Sequence, residues 1–183
     1  MSKPLLRFDE VALVRGGRLL FENISFALGP GAAIQVTGPN GSGKSSLIRL
    51  AAGLLRAERG QIERPAAMAL ADDNLALDRE LPLAKALRLW GSGDGLEPMG
   101  LGGLEAVPVR FLSSGQRKRA AVARVIASGA PLWLLDEPAN ALDGDGVQRL
   151  AAALAAHRKG GGAVLAASHL PLPGEWRNVE LGR

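Results

Sequence analysis

The sequence predicts an α/β fold with a mostly parallel core sheet, and three short apolar runs carry that prediction. The runs Ala32–Thr37, Pro131–Leu135 and Ala163–Ala167 contain no charged residue, which is typical of parallel strands that helices cover on both faces. Apolar residues at helical spacing follow the first two runs, so strands and helices alternate along the chain. That alternation predicts parallel strands joined by helical crossovers.

The first thirty residues predict an antiparallel region in front of this core. Apolar side chains alternate approximately over Leu6–Leu13 and again over Ile24–Leu28, as expected for two half-buried strands. Gly16 and Gly17 mark the turn between the strands, and Gly29–Gly31 marks the exit from the second.

Apolar spacing predicts four helices, with one further short strand between the first two. The segment Gly91–Gly103 contains too many glycines for a regular element. In chain order the predicted elements are a helix with an apolar face formed by Leu47, Ala51, Leu54 and Leu55, a strand over Met68–Ala71, helices over Leu81–Trp90 and Ser113–Ser128, and a helix marked by Val147, Leu150, Ala151 and Leu154 that Gly160–Gly162 closes.

Length and composition limit the classes of protein that are possible. A chain of 183 residues with 47% hydrophobic and 22% charged residues is expected to form one globular domain. It has no apolar run of about 18 residues for a membrane span and no cysteine for a disulfide or thiolate zinc site. Arg7, Asp9 and Glu10 place charges where a signal peptide is apolar. A cytoplasmic location is therefore expected.

The net charge of +4 does not predict nucleic-acid binding. Basic residues are spread along the chain, and an arginine-rich, alanine-rich composition is what a GC-rich genome produces. The one dense basic patch, Arg117–Arg119, is expected to be a solvated helix face. No nucleic-acid partner is predicted.

A glycine-rich loop between the first core strand and the next helix predicts a phosphate site. The segment Gly38–Ser45 fits G-x-x-x-x-G-K-[ST], in which backbone N–H groups and the helix N-terminus surround phosphate oxygens. Lys44 is expected to contact the β- and γ-phosphates of ATP, and the Ser45 hydroxyl to ligate Mg²⁺. The predicted nucleotide-binding residues of the loop are Gly38, Pro39, Asn40, Gly41, Ser42, Gly43, Lys44, Ser45 and Ser46.

Two acidic residues at the end of the second core strand predict the rest of a nucleotide site. Parallel strands deliver their carboxyl ends to the crevice where ligands bind, so Asp136 is expected to lie beside the loop and to hold Mg²⁺ through water. Glu137 is then placed to orient and deprotonate a water molecule that attacks the γ-phosphate. The alternative is that the two acids merely end a strand.

Further along the chain, four short elements resemble those of one ATPase family. Leu112–Gln116 is similar to the LSGGQ signature of ATP-binding-cassette (ABC) ATPases, with Ser114 in place of the first glycine. Asp136–Pro138 resembles the family's Walker B motif, Asn140–Asp143 its D-loop, and Ser168–His169 its H-loop. The resemblance implies a P-loop ABC cassette over residues 1–183, with a shortened helical subdomain at about 74–127, that hydrolyses ATP with Mg²⁺.

The resemblance also implies roles that depend on a second subunit. In the family the signature reaches the γ-phosphate held by the opposite subunit, which implies a head-to-tail homodimer around two ATP molecules. His169 is implied to contact the γ-phosphate and to support Glu137 and the water; the alternative, a hydrogen-bonded histidine at a strand end, stays open. The residues implied in this way are Ser113, Ser114, Gly115 and Gln116 of the signature, Asp143 of the D-loop, and His169, which joins Glu137 and Lys44 as catalytic.

The chain departs from the family at two positions. The aromatic residue that stacks on adenine is missing, and Arg15 is expected to stack in its place through its guanidinium plane. The family's Q-loop glutamine is also absent; the corresponding segment offers Asp72 and Asp73, between which the sequence does not decide.

Three segments resemble one subgroup, the CcmA-type ATP-binding subunits of cytochrome c maturation: Arg15–Phe21, Thr37–Leu47 and Ala127–Pro138. This implies an ATPase on the cytoplasmic side of a bacterial inner membrane, bound to an integral permease subunit of the CcmB type and to other cytochrome c maturation proteins, that energises haem delivery or export. The alternatives are the ATPase of another small-substrate ABC transporter and a nucleotide-binding regulator of low turnover.

Overall fold

Two β-sheets form the framework of the chain, of which a computed structural model describes residues 3–92 and 94–182. The strands of this described part are β1 (Leu6–Arg15), β2 (Arg18–Leu28), β3 (Ala33–Thr37), β4 (Arg59–Glu63), β5 (Met68–Ala71), β6 (Leu132–Asp136), β7 (Ala163–Ala167) and β8 (Arg177–Glu180). Strands β2, β1 and β4 form an antiparallel sheet in that order. The core sheet has the order β5-β6-β7-β3-β8, and all its neighbours are parallel. The predicted α/β fold with an antiparallel N-terminal region is confirmed.

Along the chain, the helices come between successive strands of the core sheet, as crossover connections between parallel strands require. They are α1 (Lys44–Ala51), α2 (Leu83–Arg88), α3 (Ser114–Ala127) and α4 (Gly144–Lys159), with a 3₁₀ helix at Val109–Phe111. In the described part of the chain, no helix is long and apolar enough to cross a membrane.

The core sheet is buried on both faces, as the apolar runs predict. Along β6, Leu132 and Leu134 pack into one hydrophobic cluster with α1 and the antiparallel sheet. Trp133 and Leu135 alternate with them and pack into the other cluster, with α3 and α4. Because successive side chains of a strand point to opposite faces, one uniformly apolar strand serves both clusters.

Two helices are shorter than predicted. Helix α1 ends at Ala51, because Gly53 takes a left-handed conformation (φ 75°), and Leu54 beyond it is 62% exposed. Helix α2 covers Leu83–Arg88 rather than Leu81–Trp90, and Trp90 lies outside it, half exposed. The apolar spacing therefore extends beyond the helical backbone at these two ends.

The interpretation of the basic patch Arg117–Arg119 as a solvated helix face is wrong. The Arg119 guanidinium pairs with Asp143 and Asp145 of the α4 N-terminus. Arg117 is exposed, yet its Nη1 donates to the carbonyl of Leu112 at 2.7 Å. The Lys118 side chain is only 14% exposed, and its ammonium group lies 4.0 Å from the Asp73 carboxylate.

His157, near the C-terminus of α4, packs into the protein. Its imidazole is half-buried and stacks on Trp133, with ring centroids 3.8 Å apart. Burial lowers the pKa of His157 below its usual value of 6.5, although hydrogen bonds to the Ala163 and Pro131 carbonyls oppose this. The ring is therefore neutral at pH 7.

Candidate nucleotide-binding site

Three neighbouring strands of the core sheet bring the predicted site residues to one edge. β6, β7 and β3 are adjacent and parallel, so the segments that follow Asp136, Ala167 and Thr37 leave the sheet on the same side. These segments carry Glu137, His169 and the glycine-rich loop, which are far apart in the sequence.

The loop curls because its glycines adopt conformations that other residues rarely reach. Gly38 has φ 142° and Gly43 has φ 101°, and a Cβ atom on Gly38 would overlap the carbonyl of Leu181. Lys44 is buried at the start of α1, and its Nζ donates to the carbonyls of Gly38 (2.8 Å) and Pro39 (3.1 Å). The ammonium group thus lies inside the curve of the loop.

Ser45 and Asp136 form a pair of oxygen ligands next to the loop. The Ser45 hydroxyl donates to Oδ1 of Asp136 at 3.0 Å, although the two residues are 91 positions apart. Burial raises the pKa of Asp136, although the hydrogen bond from Ser45 lowers it in part. The negative charges of Asp73 and Glu137 raise this pKa further. An adjacent hydroxyl and carboxylate supply oxygen ligands that fit a hard divalent cation such as Mg²⁺.

Glu137 and His169 are in direct contact. Glu137 has a left-handed backbone (φ 47°), and its N–H donates to the carbonyl of Ala167 at 2.8 Å, which ties it to the end of β7. Its carboxylate accepts a hydrogen bond from the His169 backbone N–H (3.2 Å) and lies 2.9 Å from Nδ1 of the His169 ring. The carboxylate is thereby oriented by two groups of one residue.

A cavity of about 400 Å³ opens above these groups. Its lining includes Asn40, Lys44 and Ser45 of the loop and helix start, Glu137, and Arg15 from the end of β1. The Arg15 guanidinium donates to the hydroxyl of Ser46 at 3.3 Å, so it lies at the rim of the cavity next to α1. Phosphate-binding, acidic and basic groups therefore face one space.

The signature residues do not line this cavity. The Ser113 hydroxyl caps α3: it accepts from the Gln116 N–H (3.2 Å), and the Gln116 side chain accepts from the Ser113 N–H (2.8 Å). Ser114 lines a separate cavity beside Asn140. Gly115, whose added Cβ would lie 3.3 Å from the Ala141 carbonyl, packs against the D-loop. The exposed start of α3 thus presents backbone N–H groups outside the cavity of its own P-loop.

Asp143 is the N-cap of α4. Its carboxylate accepts from the Gly146 N–H at 2.8 Å and pairs with Arg119 of α3. The D-loop is therefore fixed to the helix that begins at the signature.

Asp72 and Asp73 follow β5, and the structure separates them. Asp72 accepts from the N–H of Asn74 at 3.0 Å and so stabilises its own turn. Asp73 is 96% exposed, lies 4.0 Å from the Lys118 ammonium, and contributes to the raised pKa of Asp136. Of the two carboxylates, Asp73 is the one that acts on Asp136.

Sequence reasoning missed Lys118 as a residue of this site. Its Nζ donates to the backbone carbonyl of Asp136 at 3.3 Å. No local sequence signal marks this contact, because it depends on the packing of α3 against β5.

Comparisons with known proteins agree with this geometry. The family model described as ABC transporter matches residues 21–140. The cytochrome c biogenesis ATP-binding export protein CcmA of Sphingopyxis alaskensis is 55% identical over 92% of this chain and 91% of its own. The protein of that name from Novosphingobium aromaticivorans is 53% identical over 89% and 87%.

Solved structures show the same fold at lower identity. An ATP-binding subunit of an ABC transporter superposes with a TM-score of 0.82, at 21% identity over 91% of this chain and 80% of that one. A dimeric bacterial ABC transporter cassette gives a TM-score of 0.76, at 20% identity over 90% and 88%.

Proposed function

Because the chain belongs to the ABC transporter family and, within it, to the CcmA-type cytochrome c biogenesis ATP-binding export proteins, we propose that it hydrolyses ATP to energise haem delivery or export for c-type cytochromes. The observation that carries the chemistry is the convergence of Lys44, Ser45 and Glu137 on one cavity, with Asp136 hydrogen-bonded to Ser45. This convergence is what in-line transfer of a phosphoryl group to water requires.

Binding of ATP begins at the glycine-rich loop. Its N–H groups and the α1 N-terminus receive the phosphates, and Lys44 exchanges the carbonyls of Gly38 and Pro39 for β- and γ-phosphate oxygens. We assign adenine to the rim beside Arg15, where the guanidinium plane stacks on the base. Loss of Arg15 should then weaken the binding of ATP more than that of inorganic triphosphate.

Ser45 and Asp136 would hold Mg²⁺ on the phosphates. A bound Mg²⁺ supplies positive charge that neutralises the β- and γ-phosphate oxygens as the bond breaks. The Ser45 hydroxyl would then ligate the metal, and the positive charge of the ion would stabilise the ionised form of the Asp136 carboxylate, which burial disfavours.

Glu137 orients the attacking water and takes up its proton. The His169 contact at 2.9 Å fixes the direction of the carboxylate, and the exposed part of the ring is free to approach the γ-phosphate. Glu137 therefore acts as general base, with His169 as its support.

Hydrolysis needs a second copy of the chain. The signature residues do not line their own P-loop cavity, and the N-terminus of α3 is capped by Ser113. We place this N-terminus on the γ-phosphate of a second subunit, where its N–H groups and dipole stabilise negative charge. Two subunits then close around two ATP molecules, with Asp143 next to the contact.

The partner in the membrane is proposed to be an integral permease subunit of the CcmB type, reached from the cytoplasmic side, within a complex of cytochrome c maturation proteins. A groove of about 480 Å³ suits one of its helices. The groove is lined by the exposed Leu54, by Met68 and Trp90, and by Arg124. Arg124 is buried, and its guanidinium lies over the Trp90 ring and donates to the Leu70 carbonyl. An apolar helix would cover the exposed Leu54 and Trp90 side chains of this groove.

We retain residues 1–183 as a single ATP-binding domain, with a helical subdomain at about 74–127. Between β5 and β6 the described chain contains α2, the 3₁₀ helix and α3 but no strand, which supports this division.

The cellular role is tested in a deletion strain scored for haem covalently attached to c-type cytochromes. We expect attached haem to be lost, to return with the wild-type chain, and to remain absent with Glu137→Gln. Normal haem levels in the deletion strain would contradict the cytochrome role and favour another transporter. Phosphate release by the purified complex, measured with and without Mg²⁺, tests the ATPase activity separately.

A further inference from the structure

Lys118 reaches the nucleotide site of its own chain from the signature helix α3. Its side chain is only 14% exposed, and its Nζ donates to the backbone carbonyl of Asp136 at 3.3 Å. The Asp73 carboxylate lies 4.0 Å from the same nitrogen. One lysine therefore joins three parts of the fold: α3, the segment after β5 and the carboxyl end of β6.

This contact holds a different group of Asp136 from the one that Ser45 binds. The carboxylate of Asp136 accepts from the Ser45 hydroxyl of α1 at 3.0 Å, while its carbonyl accepts from Lys118 of α3. A covered lysine loses rotamer freedom and so needs compensating contacts, which Asp136 and Asp73 provide. The orientation of Asp136 thus depends on both helices.

We infer that Lys118 is a positioning residue for Asp136, held in place by Asp73, and that it makes the magnesium affinity of the nucleotide site depend on the signature helix of the same chain. The inference rests on the proposed function, because it assumes that Asp136 holds Mg²⁺. Residues that orient metal ligands commonly change metal affinity by one to two orders of magnitude.

The test uses the full chain and a fluorescent, non-hydrolysable ATP analogue. The measured quantity is the Mg²⁺ concentration that half-maximally tightens binding of the analogue. We expect Lys118→Met to raise this concentration by about tenfold, while affinity in EDTA stays within about twofold. Charge alone predicts the opposite, because removal of a cation beside a metal site favours the metal. The direction of the change therefore separates positioning from simple repulsion.

Two further lysine variants complete the design. Lys118→Arg keeps a cationic donor and should restore most of the affinity for Mg²⁺. Lys85→Met removes an exposed lysine of α2 outside the site and should leave the Mg²⁺ requirement unchanged. Electron paramagnetic resonance of Mn²⁺, used in place of Mg²⁺, measures metal binding directly and should rank the variants in the same order.

Asp73→Asn tests the second half of the inference. It should also raise the Mg²⁺ requirement, and the double variant with Lys118→Met should be no weaker than the single lysine variant, because both act through one contact. An unchanged or lowered requirement in Lys118→Met overturns the inference, and additive losses overturn the part assigned to Asp73. If the nucleotide affinity of the wild-type chain does not change with Mg²⁺ concentration, the proposed function itself is overturned.

Discussion

Glu137 combines a strained backbone with an oriented carboxylate. Its left-handed φ of 47° is a conformation that costs a non-glycine residue free energy, and the Ala167 and His169 contacts hold it there. The substitution Glu137→Gln keeps the shape of the side chain and the backbone but removes the group that accepts a proton. We expect phosphate release to fall about 10²- to 10⁴-fold.

The same variant should still bind ATP, because Lys44, Ser45 and Asp136 are intact. We therefore expect it to accumulate as a dimer with ATP and Mg²⁺ and to remain a monomer with ADP, as measured by light scattering. A variant that stays monomeric with ATP, or that hydrolyses it at the wild-type rate, would contradict the role of Glu137.

The stability of the fold should depend on pH through His157, which lies outside the nucleotide site. Burial lowers its pKa in the folded chain below 6.5, so below pH 6.5 the unfolded chain binds a proton that the folded chain does not. Its contribution to stability is therefore present above pH 6.5 and is lost as the pH falls towards the folded pKa. His157→Phe keeps a ring against Trp133 but does not titrate. We expect its melting temperature to fall less between about pH 7.5 and 5.5 than that of the wild type; equal slopes would contradict this.

Local motifs made the centre of the site predictable, whereas contacts between distant elements did not. Gly38–Ser45 and Asp136–Glu137 are short, and the apolar strands before them fix which edge of the sheet they reach. Lys118 belongs to the site only because α3 packs beside β5 and β6, which nothing in the local sequence states. The choice between Asp72 and Asp73 likewise depended on the turn that Asp72 caps.

Among the secondary structure elements, too, those with a local side-chain pattern were predictable and those without one were not. β6 was predictable because each of its side chains is buried up to Asp136. Strands β4 and β8 were missed because they are mostly exposed and polar. Their ladders are formed by backbone groups, which every residue except proline supplies, so side-chain pattern carries no signal there.

The start of α3 combines a structural cap with a proposed phosphate contact, and substitutions can separate the two. Ser113→Ala removes the hydroxyl that accepts from the Gln116 N–H and should cost about 1 kcal/mol in the free energy of unfolding, measured with urea. Ser113→Asp keeps a capping oxygen and should retain stability, yet its charge would face the γ-phosphate of the second subunit. ATP-dependent dimerisation should therefore be lost in Ser113→Asp.

Ser114→Ala is the matched control for stability, because the Ser114 side chain does not cap α3; we expect a change within about 0.5 kcal/mol. Dimerisation of Ser113→Asp at the ATP concentration that suffices for the wild type would rule out the placement of the signature on a phosphate.

On the scale of the whole molecule, the proposed function couples the ATP cycle of the chain to an integral membrane partner. The groove that contains Leu54 and Arg124 lies between the core sheet and α3. Leu54 is well exposed, so Leu54→Asp should fold normally, with a melting temperature within about 2 °C of the wild type.

In cells that produce the integral partner, burial of the new carboxylate against apolar helix residues would be unfavourable. We expect Leu54→Asp to lower the fraction of the chain recovered in washed membranes and to lower attached haem with it. Leu170→Asp is the control, since Leu170 is similarly exposed but lies outside the groove. Equal recovery of both variants would place the membrane partner on another surface, whereas selective loss for Leu54→Asp would locate the surface through which dimer closure is transmitted.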